Sequence, residues 1–197
     1  MRLPLIAPDE LTPEQGRLYE DMRAGIDQGF NGFISTRQDG ALMGPWNPWL
    51  HEPHVGGLAW ELVKTLSRNS NLPETAREVA ILVIGTRFKA AYQIYAHLAV
   101  ARRENISEAK LSALLNGQRS DNLTREEAIA YDIATALVSG DVLPEKAYSA
   151  AIDGFGEHGA AELCYLIAIY CFVSVTLNAF DVPVPEQVQA AQEPALA

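Results

Sequence analysis

His97 closes the stretch Ala90-Ala91-Tyr92-Gln93-Ile94-Tyr95-Ala96-His97. On one helix, Ala90, Gln93 and His97 fall at i, i+3 and i+7 and line one face, and Gln93 and His97, four apart, can touch. Glu78 precedes His97 by 19 residues, on what the apolar pattern makes the preceding helix. If the two helices pack antiparallel, the carboxylate approaches the imidazole. A carboxylate in that place orients the ring, fixes its tautomer and raises its pKa, which suits acid–base work near neutrality. Gln93 cannot take a proton, but it can donate a hydrogen bond to a carbonyl or carboxylate. A single histidine on a helix also serves as a structural residue, so spacing alone leaves both readings open.

A second group is Trp46-Asn47-Pro48-Trp49-Leu50-His51-Glu52-Pro53-His54. His51 and His54 have a His-x-x-His spacing, but a metal needs at least a third ligand and the sequence offers none nearby, so no metal is expected. Trp46, Trp49 and His51 are candidates for covering a pocket beside His97, with simple core packing as the alternative. Arg87, Lys89, Arg102 and Arg103 form a modest basic cluster. It reads either as a solvated helix end or as recognition of an organic carboxylate, with Arg87 best placed because it stands near Ala90 at a helix junction. Tyr92 and Tyr95 lie off the His97 face and read as core or interface. The two cysteines, Cys164 and Cys171, are seven apart on one helix, about 10.5 Å of rise. A disulfide needs Cα atoms within roughly 7 Å, so they read as small buried hydrophobes that cannot bridge each other.

The elements that must hold these residues are helical throughout. Thr12-Pro13-Glu14-Gln15 is a capping box that opens a helix running to about Gly25. Residues 26–54, with four glycines, three prolines and both Trp46 and Trp49, read as a long Trp-rich loop. Leu58, Leu62 and Leu66 mark a helix from about Pro53 to Asn69. Glu74 to Phe88 is apolar all round at its centre and reads as a buried helix. Lys89 to Glu104 follows, then a short helix capped by Ser107 and ended by Gly117, then one opened by Thr124 and reaching Ser139-Gly140. A helix from Pro144 breaks at Gly154-Phe155-Gly156, and Glu157 to Phe180 forms the longest core helix. No segment alternates with a two-residue period. The expectation is an all-α, single-domain helical bundle over residues 1–180, with an extended or loose tail over 181–197.

The chain has 197 residues with 48% apolar and 20% charged, an ordinary globular mix for one domain. Its net charge of −10 repels phosphate backbones and anionic lipid, so neither nucleic acid nor a membrane surface is an expected partner. The N-terminal apolar stretch is short, broken by Pro4 and Pro8 and followed at once by acids, unlike a secretory leader. The uncharged run Leu163 to Leu177 is shorter than the roughly 20 residues of a spanning helix. A cytoplasmic location is expected.

The spacing of Glu78, Ala90, Gln93 and His97 resembles the active-site motif of the carboxymuconolactone decarboxylase and alkyl hydroperoxidase D superfamily. There the pattern is Glu, eleven residues, Cys, two residues, Cys, three residues, His. The likeness runs from about Trp46 to Pro185 and includes Arg77-Glu78-Val79-Ala80-Ile81-Leu82, the stretch from Ala96 to Arg103, and Thr176 to Pro183. The resemblance implies an alkyl hydroperoxidase D-like helical fold, trimeric or hexameric assembly, and an active site beside the motif helix. Both motif cysteines are missing here, replaced by Ala90 and Gln93. The peroxidase branch reduces peroxide with those thiols, and no other residue type substitutes for a thiolate there. The decarboxylase branch carries Glu at the second cysteine position, where this chain has Gln93.

Two readings follow. In the first, the protein is a cofactor-free, carboxymuconolactone decarboxylase-like enzyme acting by decarboxylation, isomerisation or hydrolysis on a small carboxylated or lactone-like compound. His97 is then general acid or base, Glu78 orients it, Gln93 donates to the substrate, and Trp46, Trp49, His51, Arg87 and Ala90 border the substrate. In the second, the chain binds small molecules or serves a structural role without catalysis. A thiol peroxidase is the least expected activity.

Overall fold

The computed structural model describes residues 1–30 and 32–186. These described residues form eight α-helices: α1 (Pro13–Gly29), α2 (Trp46–His51), α3 (Pro53–Arg68), α4 (Glu74–Phe88), α5 (Ala91–Arg103), α6 (Glu108–Leu115), α7 (Arg125–Val138) and α8 (Glu145–Ala179). Among the described residues there is no strand, and Thr36 and Leu42 make only an isolated bridge. The bundle is all-α, as the helical periodicity requires.

Helix α4 is the axis. From Ala76 to Gly85 every residue is buried, and α5, α6, α7 and α8 pack around it. Two contacts fix the direction of α5 on α4. Glu78 meets His97 and, three residues on, Ile81 meets Gln93 four residues earlier, so the two helices run antiparallel. The turn between them is made by Lys89, which takes a left-handed conformation (φ 56°) and donates its N–H to Thr86 O.

The helix α8 is divided where the sequence indicates, at Gly156, with φ 71° and ψ 175°. It is long and apolar enough by composition to cross a membrane, and half of its most apolar window is buried inside the fold. Leu163, Leu166, Ile167 and Tyr170 face the bundle, whereas Tyr165, Phe172 and Val175 are exposed.

Three boundaries differ from the sequence reading. Helix α1 continues past Gly25 to Gly29. Gly25 is a packing glycine rather than a stop: a Cβ there would lie 2.4 Å from the Trp60 ring on α3. The 26–54 segment is not one irregular loop, because Trp46–His51 forms α2 within it. The preceding stretch is pinned by two tyrosines of α5: Tyr92 Oη donates to Ile34 O at 2.7 Å, and Ile34 N donates to Tyr95 Oη at 2.8 Å. Tyr92 is therefore core, 2% exposed, not interface. Beyond α8, Val182 and Pro185 are buried and Val182 N donates to Leu177 O, so the start of the expected tail packs down. Residues 187–197 of that tail lie outside the described residues.

Candidate active site

His97, on α5, sits against Glu78 of α4 and Tyr170 of α8. Glu78 Oε2 is 2.9 Å from His97 Nδ1, and the two side chains are 5% and 14% exposed. An ionised carboxylate can only accept, so the proton of the neutral imidazole resides on Nδ1 and Nε2 is the basic nitrogen. No described residue bonds Nε2. The Tyr170 ring meets the imidazole edge-on, with centroids 5.0 Å apart and planes at 86°, which limits ring rotation about the Glu78 contact. Burial pushes the Tyr170 phenol well above its ordinary pKa, the Glu78 charge adds to the shift, and Arg77 opposes it. The phenol therefore stays protonated, as a donor.

These side chains border a cavity of about 100 Å³. Trp46 and Trp49 of α2, Phe33, Val173 and Leu177 supply its apolar wall, and Arg77, Glu78, Gln93 and His97 its polar part. Trp46 and Trp49 are three apart on one helical turn, so both indoles fall on one face. Each is 4% exposed. Phe33 stacks on Trp46 at 6.3 Å, and Phe172 stacks on Trp49 at 6.5 Å.

Gln93 lines the cavity but is held from both sides. Its Nε2 donates to Ile81 O at 3.2 Å and its Oε1 accepts from Ser174 Oγ at 2.9 Å. The side chain is buried, 2% exposed, and ties α4, α5 and α8 together. An amide carries two N–H donors, so one remains uncommitted by these contacts.

Three of the expected substrate-binding residues stand off the cavity. Ala90 is the N-cap of α5, with extended φ/ψ of −80° and 90°. It lies off the helical spiral on which Gln93 and His97 share a face. Arg87 is ten residues beyond Arg77 on α4, about 15 Å along the axis, and borders a separate groove with Lys89 and Tyr131. His51 ends α2 and donates through Nε2 to Pro4 O at 2.8 Å, holding the N-terminal segment. His54 pairs with Glu14 at 3.5 Å. Among the described residues no group of three or more His, Cys, Asp or Glu side chains could hold a metal ion.

Arg77 and Tyr170 are cavity residues that the sequence reading does not pick out. Arg77 is 6% exposed, and its Nη1 donates to Glu74 Oε1 at 2.9 Å. The signal for it was present: a cation in the first turns of a helix otherwise buried on all sides. Tyr170 carried no such signal, because in an apolar run a tyrosine reads as core. Cys164 and Cys171 are half-buried on α8 and unpaired, and neither borders the cavity.

The Trp46 Nε1, Trp49 Nε1 and Arg77 Nε atoms are buried without a hydrogen-bond partner. A buried donor left unpaired costs about 1–3 kcal/mol, so each such group calls for a partner or an explanation; Arg23 Nε and Thr86 Oγ1, which do not border this cavity, are orphaned as well.

No family model matches the sequence, and no curated protein matches it significantly. Solved structures do. A variant of the debrominase Bmp8 in complex with 2,3,4-tribromopyrrole superposes with a TM-score of 0.69 at 18% identity, over 96% of this chain and 95% of that one. The apo debrominase matches at 0.69 and 17% identity, over 95% and 94%. The alkylhydroperoxidase AhpD core of an uncharacterized peroxidase-related protein from Ralstonia eutropha matches at 0.73 and 13% identity, over 94% and 93%. With nearly the whole chain superposed on these helices, the protein has the alkylhydroperoxidase D-like fold.

Proposed function

We propose that the protein is a cofactor-free acid–base enzyme acting on a small cyclic compound of the carboxylated or lactone-like kind. His97 Nε2 accepts or delivers the proton, Glu78 sets its tautomer, and Tyr170 restrains the ring. The observation that carries this reading is the Glu78–His97 contact at the wall of an apolar cavity, with Nε2 unbonded by the protein. Low-dielectric walls strengthen such a pair and keep bulk water from competing for the proton. That the same fold serves catalysis in a debrominase holding a small halogenated ring agrees in ligand size and ring character. The chemistry differs, because this reading uses no thiol. Decarboxylation needs a proton delivered to the carbon that loses CO2, isomerisation needs one removed at one carbon and returned at another, and hydrolysis needs one taken from water and given to the leaving oxygen; a single basic nitrogen can serve each of these in turn. The proposal includes cytoplasmic action as a homo-oligomer, trimeric or hexameric, with neither nucleic acid nor membrane as partner.

A test is a panel of small lactones, β-keto acids and cyclic carboxylates followed by proton NMR in D2O. Conversion or solvent deuterium incorporation is expected for at least one class, and should fall by about 10²–10⁴-fold in His97→Asn, the usual worth of a positioned acid or base. Activity unchanged in that variant, or none with any compound, overturns the proposal. The second outcome would favour the binding-only reading, for which the neutral Gln93, held by Ile81 and Ser174, is the specific support.

A further inference from the structure

Three donors at the cavity have nothing to donate to. Trp46 Nε1, Trp49 Nε1 and Arg77 Nε are buried and unpaired, and all three residues border the cavity that holds His97. The contrast with Trp60 is instructive. Its indole N–H donates to Asp21 Oδ2 at 2.7 Å, and that carboxylate also accepts from Lys64 at 2.6 Å. That indole has an acceptor, and the two cavity indoles have none.

The missing partner can be described chemically. An indole N–H and a guanidinium N–H donate and never accept, so the complementary group is rich in acceptors. Arg77 adds a full positive charge and a planar fork suited to a carboxylate. Two acids stand beside it: Glu78 directs an oxygen to His97, and Glu74, which holds Arg77 Nη1, has a half-exposed side chain that can turn to solvent. Arg103 also borders the cavity. We propose that Arg77, Trp46 and Trp49 form a carboxylate-binding subsite, which selects small planar ring acids and holds the ring against Phe33 and Val173. The cavity, about 100 Å³, is smaller than the roughly 150 Å³ void that accommodates benzene in an engineered core, so it admits at most one small ring. This inference rests on reading the cavity as the ligand site, and it gives to Arg77 the role that the sequence suggested for Arg87.

The experiment is titration calorimetry of the full chain with benzoate and furoate, each against its neutral carboxamide. The acids should bind at least about tenfold tighter than the amides, a difference of about 1.4 kcal/mol. Trp46→Phe and Trp49→Phe keep a ring but delete an orphaned N–H. They should leave the apo melting temperature nearly unchanged while weakening the acids several-fold. Arg77→Gln should abolish the preference for acid over amide, and Arg77→Lys, which keeps charge without the fork, should retain part of it. If Arg77→Gln fails to fold, the two tryptophan variants and Arg77→Lys still decide. Equal binding of acid and amide, no measurable heat from either acid, or wild-type affinities in the tryptophan variants overturns the subsite. Acid preference without turnover of any compound sinks the acid–base reading alone, and turnover without acid preference sinks the subsite alone.

Discussion

His97 Nδ1 and Glu78 Oε2 lie 2.9 Å apart across the antiparallel pair α4–α5, with Glu78 almost completely buried. This changes what removing the histidine does. A histidine on an exposed helix face could be removed at little cost. In the fold the loss of His97 strands a buried carboxylate. His97→Ala should therefore destabilise the protein by about 1–3 kcal/mol, and combining it with Glu78→Gln should recover part of that loss. Urea denaturation of the two single variants and the double variant measures the coupling, expected at roughly 0.5–3 kcal/mol. Strict additivity would mean that the contact does not operate in solution.

The Gln93 position can be tested against the acidic residue that the decarboxylase branch carries there. In Gln93→Glu a carboxylate replaces the amide nitrogen that donates to Ile81 O, so an acceptor faces an acceptor in a buried site. The variant should lose about 1–3 kcal/mol at neutral pH. The sign of its pH dependence follows. Burial and the opposing carbonyl raise the folded-state pKa above the unfolded value. The folded state then binds the extra proton, and the variant gains stability relative to wild type as pH falls toward the ordinary glutamate range. Thermal melts between pH 4 and pH 7, about the window bounded by the unperturbed value and neutrality, would show it. A flat difference between the two proteins would mean that Gln93 has room to turn away.

How far the sequence reached depends on how local each signal was. Capping residues and apolar periodicity act within a turn or two, so Thr12, Ser107 and Thr124 each cap the helix expected of them. The Glu78–His97 contact was legible because its spacing suits two antiparallel helices joined by a tight turn. Arg87 and Ala90 were misplaced because proximity in sequence to Gln93 does not carry across a helix end, where the chain leaves the spiral. The α2 helix was hidden by its composition: Pro45, Pro48 and Pro53 suggest a loop, and only burial of Trp46, Trp49 and Leu50 against the core makes a short helix worthwhile. Tyr170 and the orphaned indoles depend on contacts between distant segments, which one sequence does not encode in any local pattern.

Gly56 offers a way to move the cavity wall without touching it. A Cβ at Gly56 would meet the carbonyl oxygen of Trp49 at 2.2 Å, so α3 can lie under α2 only because that residue lacks a side chain. Gly56→Ala must push α2 outward, and overpacking of this kind costs about 1–3 kcal/mol. Because Trp46 and Trp49 travel with α2, tryptophan emission should shift to the red and bind a quencher such as acrylamide more readily. A melting temperature and spectrum equal to wild type would show that α2 is not held where the structure has it.

The exposed face of α8 bears on assembly. Tyr165, Phe172 and Val175 are 65%, 39% and 52% exposed, and Ala161, Ala168 and Ala179 complete the same exposed, uncharged row. The spacing is close to heptad, which keeps one seam in register along a helix. Packing this row against a second copy of the chain is the proposed arrangement. Tyr165→Glu with Val175→Glu places charge in the seam, so light scattering should move from a multiple of 21.5 kDa toward the single-chain mass. A wild-type protein already at that mass in dilute buffer would end the homo-oligomer proposal, and an unaltered oligomer in the double variant would place the interface elsewhere.

Thiol chemistry supplies the last test. Burial pushes both the Cys164 and the Cys171 thiol above their ordinary pKa. A raised thiol pKa means less thiolate at any pH below it, and the thiolate is the nucleophile. Iodoacetamide should therefore modify the native protein more slowly at pH 8 than it modifies the urea-unfolded chain, whose thiols titrate near 8.5. The native rate should climb only above that pH. The same argument governs peroxide. A thiol peroxidase needs one thiolate to attack oxygen and a second thiol to resolve the sulfenic acid. Here the two sulfurs are on one helix at a separation that no disulfide spans, and the cavity is lined by Gln93 and His97 instead. Incubation with hydroperoxide and a dithiol should show no turnover above that of the Cys164→Ser, Cys171→Ser double variant. Turnover that disappears on substituting either cysteine would return the chain to redox chemistry and remove the reason for assigning proton transfer to His97.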